Sequence, residues 1–203
     1  MTPEIENCAQ QDQNASSERL PMQVRLNTAA QLAVRARAFY EIWWTYEGAD
    51  TRPLYLQSMN QYSEFFRFDS HATFVAMIVH TAMLYDKDDR TVGLRALLNE
   101  IGEHSDDATR IEDAKALLVP LVSVAKKVMH LRNNLFAHRN ARFSYKEVFD
   151  QAAIAPDQVR DLIDAALQIA NKLLVAIDSP EQFPNPYVSR HIQGLLESLN
   201  TSR

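Results

Sequence analysis

The residues with the clearest chemical potential lie in one short run, Arg132-Asn-Asn-Leu-Phe-Ala-His138. An arginine presents a planar, permanently charged fork that matches two phosphate oxygens. A histidine gives or takes a proton near neutral pH. Together they suit attack of an RNA 2′-hydroxyl on the adjacent phosphate. In that reading His138 is the general base or acid, and Arg132 holds the developing negative charge. Asn133 and Asn134 are candidates to orient the phosphate or the histidine. This chemistry requires no metal, and no cofactor is expected.

The surroundings add weight. From Ala114 to Lys146 there is no Asp or Glu, although the whole chain carries a net charge of −5. That stretch holds Lys126, Lys127, Arg139 and Arg142, the candidate RNA contacts, and such a local basic surface is a normal footprint for phosphate binding. On a helical wheel with Val128 at 0°, Val124, Leu131 and Leu135 fall at about 320°, 300° and 340°. Phe136 and Met129 fall at about 80° and 100°, and Arg132 at about 40°, inside the apolar arc. A guanidinium there carries a desolvation cost unless it is paired or lines a polar cleft. The structural alternatives are an ion pair from Arg132 to Asp69 or Asp86, and a His138 held by the helix C-terminal dipole. The spacing alone carries little, because in a chain with six histidines and many arginines it arises about once by chance.

The elements that must position this run are helices. The chain has 203 residues, 46% of them hydrophobic, with only four glycines. That predicts one ordinary domain with a real core and tails. Neither G-x-G-x-x-G nor G-x-x-x-x-G-K-[ST] occurs, which leaves the glycine-rich routes to nucleotide binding unsupported. Cys8 is the only cysteine, which excludes an internal disulfide and a cysteine-rich zinc site. The start lacks a basic-then-apolar leader pattern. The most apolar run, Ala72 to Tyr85, falls short of the ~20 residues of a membrane span. A cytoplasmic location is expected.

Residues 1–20 are polar and read as a disordered tail. Leu26, Ala29, Ala30, Ala33, Ala36, Tyr40 and Trp44 share one stripe, predicting a helix from Met22 to Glu47 that stops at Gly48. Arg37 is the polar exception in that stripe, with its stem on apolar surface and its head reaching water. A second helix is expected over Leu54–Phe66, an N-cap at Asp69 or Ser70, and a central apolar helix over His71–Tyr85. A short helix follows over Thr91–Ile101. The Thr109–Ala137 stretch should break near Val119, ahead of Pro120. Ser144-Tyr-Lys-Glu147 reads as a capping box with a Phe143–Val148 staple. Pro156 opens a last core helix to about Ile177. Residues 21–178 would form the helical domain, and 179–203 a proline-containing linker with a C-terminal helix over Val188–Leu199. The expected fold class is all-α.

With the motif and these helices in view, the segment resembles the R-x(4–6)-H signature of the HEPN superfamily. Trp43-Trp44, Met59-Asn-Gln-Tyr-Ser-Glu-Phe-Phe66, Phe74-Val-Ala-Met-Ile-Val79 and Leu84-Tyr-Asp-Lys87 resemble its abortive-infection AbiU-like branch, with similarity over residues 35–140. The resemblance implies a HEPN-like helical bundle, a homodimer with the two motifs facing across the interface, and RNA cleavage leaving a cyclic phosphate. It implies a place in phage defence or toxin–antitoxin systems, with an antitoxin protein as a partner. Arg132 and His138 are the matching positions. Asn140 stands where related toxins silenced by a nucleotidyltransferase often carry Tyr, so that modification is not carried over. The alternatives are a non-catalytic module that binds RNA or a nucleotide on the same fold, and a helical dimerisation or scaffold protein.

Overall fold

The computed structural model describes residues 19–88, 90–137 and 144–201. Among these residues the chain is helical throughout, without a strand. In order, the elements are α1 (Met22–Glu47), α2 (Arg52–Gln61), α3 (Ser63–Leu84), α4 (Leu94–Gly102) and α5 (Ala108–Leu118). A 3-10 turn (Val119–Leu121) leads into α6 (Val122–Leu131), which passes into a π-helical turn (Arg132–Ala137). Then come α7 (Tyr145–Ala152), α8 (Pro156–Val175) and α9 (Val188–Thr201).

The small residues of α1 set the architecture. Ala29, Ala30, Ala33 and Ala36 are fully buried, and their short side chains let α3 and α8 approach α1 closely. One core gathers Leu26, Leu94, Leu97, Leu98, Ile101 and Leu173 between α1, α4 and α8. A second gathers Tyr40, Met77, Ile78, Val128, Leu131 and Ile163 between α1, α3, α6 and α8. Each fully buried Leu or Ile of this kind stabilises the fold by roughly 2 kcal/mol. The second core is the one that fixes α6, and therefore the run that follows it.

α1 starts and stops where its stripe predicts. At its end Thr51 Oγ1 donates 2.5 Å to the Trp44 carbonyl. A Cβ on Gly48 would lie 2.6 Å from that same carbonyl, so glycine here answers a close approach. Arg37 does not simply reach water. Its Nη1 donates to both Asp164 oxygens at 2.9 and 2.8 Å, and its Nη2 lies 2.7 Å from Glu41.

The boundary between α2 and α3 differs from the expected one. The break falls at Tyr62, and Asp69 and Ser70 lie inside α3 rather than capping it. Their side chains are engaged by α1: Tyr46 Oη donates 2.9 Å to Asp69, and Ser70 Oγ donates 2.8 Å to Glu47. Tertiary partners here outweigh local capping preference. His71, expected near a helix start, is consequently mid-helix.

Pro120 breaks the α5–α6 stretch at 119–121, as its missing N–H requires. The Ser144–Glu147 capping box forms, with Glu147 N–H donating 3.2 Å to Ser144 Oγ and Ser144 N–H donating 2.7 Å to Glu147. Phe143, its proposed staple, lies outside the described residues. Pro156 opens α8. α9 folds back onto α1 and α2: Leu196 is fully buried with Tyr46, Tyr55, Met59 and Phe66, and Ser58 Oγ donates 3.0 Å to the Leu196 carbonyl.

Candidate functional site

α6 carries the site because one of its faces is anchored and the other is free. Ala125, Val128 and Leu131 are buried in the second core. Beyond Leu131 the helix widens into the π turn that holds Arg132, Asn133, Asn134, Leu135 and Phe136. π turns are uncommon and occur often at functional sites. A widened turn also shifts every later side chain from its place on an α wheel. That wheel set Phe136 beside Met129, but they part. Phe136 turns to α3, with its ring centre 6.4 Å from His71 and 6.1 Å from Phe74, whereas Met129 lines a cleft on another side of α6.

Arg132 is partly buried. Its Nη1 donates 3.0 Å to Asn133 Oδ1, and among the described residues it meets no carboxylate. The two acids that would have made it a structural pair are committed elsewhere, Asp69 to Tyr46 and Asp86 Oδ1 to the Asp88 N–H at 3.1 Å. Asn134 Nδ2 donates 2.9 Å to the His130 carbonyl and lies 3.3 Å from His130 Nδ1. The Asn pair therefore has two jobs: Asn133 holds the guanidinium, and Asn134 ties the π turn back to α6. His138, Arg139 and Arg142 lie outside the described residues.

The candidate RNA-contacting lysines separate. Lys126 is exposed and has no acid partner among the described residues. Lys127 Nζ donates 2.7 Å to the Ala153 carbonyl, where it satisfies the end of α7. Of the other cations in the acid-free stretch, Lys115 pairs with Glu112 and Lys146 with Asp150. Among the described residues of this stretch, charge without an acid partner therefore lies toward the α6 end.

Two clefts flank this region. One, of about 400 Å³, lies between the end of α3, α4, α5 and α6, with Lys126, His130, Asn133 and Asn134 on its α6 wall. The other, of about 600 Å³, is aromatic, with Trp43, Trp44, Phe74 and Phe149 on its walls. Both tryptophans share that cleft while also packing on Tyr40. His130, Lys87 and Arg95 were not singled out from sequence. The signal for His130 was its spacing: Lys126, His130 and Asn133 recur at helical intervals on one polar stripe. Nothing local to Lys87 or Arg95 marks them, since separate elements deliver them to the cleft.

Tyr85 also stands at this cleft, but its hydroxyl donates 2.7 Å to the Leu162 carbonyl. Burial pushes that phenol well above its ordinary range. It is a structural group rather than a proton carrier.

Among the described residues the chain is a strand-free bundle with an arginine-led polar turn at the end of a core helix, an architecture consistent with HEPN-like helical proteins. Over residues 23–191 the sequence matches the family model described as AbiU2, and the chain belongs to that HEPN family. No curated protein and no solved structure matches it. The match extends well past the 35–140 stretch that carries the local resemblance, taking in α7, α8 and the start of α9. Among the described residues no helix is long and apolar enough to cross a membrane.

Proposed function

We propose that this protein is a metal-independent endoribonuclease of a phage-defence or toxin–antitoxin system. The observation that carries the reading is the Arg132 guanidinium, held at the start of a π turn by Asn133 and meeting no carboxylate among the described residues. A guanidinium without a carboxylate partner, in a sequence stretch free of Asp and Glu, is set up to take an anion. Family membership supplies the context.

In the reaction, His138 removes the proton from an RNA 2′-hydroxyl, and that oxygen attacks the adjacent phosphorus. The bond from phosphorus to the 5′-oxygen breaks, that oxygen takes a proton, and a 2′,3′-cyclic phosphate remains. Arg132 stabilises the charge on the non-bridging oxygens. Lys126 and Lys127, with Arg139 and Arg142, hold the flanking backbone. The working form is a homodimer with two motifs across its interface, restrained by an antitoxin protein in the cytoplasm.

The test is cleavage of RNA by the purified full-length protein in EDTA, compared with His138→Ala. Wild type should cleave and leave a cyclic phosphate, and the variant should be inactive with an unchanged circular dichroism spectrum. Equal behaviour of the two on a broad set of RNAs sinks the enzyme reading. Binding of RNA without cleavage by either would favour the non-catalytic module.

A further inference from the structure

The cleft between α3, α4, α5 and α6 has the chemistry of a ligand site of its own. Its walls are apolar, built from Leu84, Leu118, Val122, Ala125 and Met129. Three cations stand around it on three different elements: Lys87 after α3, Arg95 on α4 and Lys126 on α6. All three are exposed. None has a carboxylate partner among the described residues, whereas Arg19, Arg25, Arg37, Arg52 and Arg110 all have one. One carboxylate, Asp86, also lines the cleft, so three cations against one acid leave a net positive rim that an anion would relieve.

A second, independent feature lies in the wall of the cleft. The Nε2 of His130, which lines it, is buried and has no hydrogen-bond partner among the described residues. Its proton can be assigned. The atom of Asn134 that meets the His130 carbonyl must be the amide nitrogen, because a carbonyl only accepts. The same nitrogen faces His130 Nδ1 at 3.3 Å, which makes Nδ1 the acceptor. In that tautomer the ring proton sits on Nε2, a buried donor without an acceptor among the described residues.

We propose that this cleft binds a small amphiphilic organic anion, with an acyl or aryl body against the α5–α6 wall. Its carboxylate or phosphate head meets Lys87, Arg95 and Lys126, with the His130 ring in the wall beside it. A bounded concavity of about 400 Å³ with apolar walls suits a compact ligand better than an extended strand. The site also touches the motif, because Asn133 lines the cleft and accepts from Arg132. A ligand that engages the Asn133 amide would alter how the guanidinium is held. Binding itself does not depend on the ribonuclease reading, and only that regulatory consequence rests on it.

The test uses the full-length protein and the fluorescent aryl sulfonate 1-anilinonaphthalene-8-sulfonate as probe. Decanoate should displace the probe, and decyltrimethylammonium should not. Arg95→Glu should weaken decanoate by about tenfold through loss and reversal of a rim charge, and Ala125→Phe should abolish binding by filling the cleft. If Ala125→Phe unfolds by circular dichroism, the charge preference and Arg95→Glu, a surface change, decide the matter. Equal displacement by the cation overturns the proposal, as does an Arg95→Glu variant with unaltered decanoate affinity. Displacement by an RNA oligonucleotide where decanoate fails also overturns it, and assigns the cleft to the RNA path. Because every readout is binding, failure of the protein to cleave RNA would count against the ribonuclease and leave this site standing.

Discussion

Arg37 on α1 and Arg132 at the end of α6 are both guanidiniums set into apolar helical stripes, yet they meet different surroundings. Arg37 is closed by two acids, Glu41 one turn along its own helix and Asp164, 127 residues away on α8. Its guanidinium also lies 5.6 Å from the Tyr40 ring centre. Arg132 is held by a neutral amide and meets no carboxylate among the described residues. The first arrangement satisfies a charge and ties helices together. The second keeps a charge available. A helical wheel displays the two identically, because it contains no information about which distant helix supplies an acid.

The comparison breaks most sharply on substitution. Arg132→Ala should lower RNA cleavage by about 10²- to 10³-fold, the scale of losing one charge-stabilising donor. Its chemical-denaturation midpoint should stay close to wild type, since among the described residues no paired acid is left behind. Arg37→Ala should do the reverse. Stability should fall by about 1–2 kcal/mol, discounted from a fully buried pair because Asp164 is 42% exposed. The cleavage rate per folded molecule should hold. A large stability loss in Arg132→Ala would make it a second Arg37 and remove the ground for the catalytic reading.

Lys126 and Lys127 sharpen the same contrast on a smaller scale. Lys126→Gln should weaken RNA binding evenly across sequences and reduce the slope of log affinity against log salt by about one. Lys127→Gln should change that slope less, because its ammonium already satisfies the Ala153 carbonyl. Equal slopes for the two variants would show that Lys127 leaves α7 when RNA binds.

The smallest effect is expected at Arg25 and Glu100, a second structural pair of the Arg37 kind. The Arg25 hydrogen bonds hold the Glu100 carboxyl below its ordinary range. A depressed folded-state value means the stabilisation is complete above the unfolded carboxyl range, about 4.3. It is lost as pH falls through the lower folded value. Melting temperatures measured from pH 7 to pH 3 should therefore fall less steeply for Glu100→Gln than for wild type. An unchanged slope would show that this pair adds nothing to acid sensitivity.

Much of the fold was legible because helices announce themselves locally. The α1 stripe, the Pro120 break, the Ser144–Glu147 box and the Pro156 start each depend on residues within a few positions of one another. The α2–α3 boundary was not legible, because Asp69 and Ser70 look like caps until Tyr46 and Glu47 engage them across the α1–α3 contact. At the site, the Arg132 anomaly was visible on the wheel. The π turn that redirects Phe136 was not, since the wheel assumes an unbroken α period.

Sequence by itself determined the helical class and the family, and it marked one run of residues as the candidate for phosphate chemistry, since these reside in local periodicity and residue chemistry. Tertiary structure decided which cations gain a partner and which, among the described residues, have no carboxylate within ion-pair distance. Arg37 found Asp164, Lys127 found a helix end, and Lys87, Arg95 and Lys126 came together around one apolar cleft. The physical reason is range. Backbone preferences act over a turn or two of helix, whereas the compensation of a charge depends on whatever the packed chain brings within a few ångströms of it.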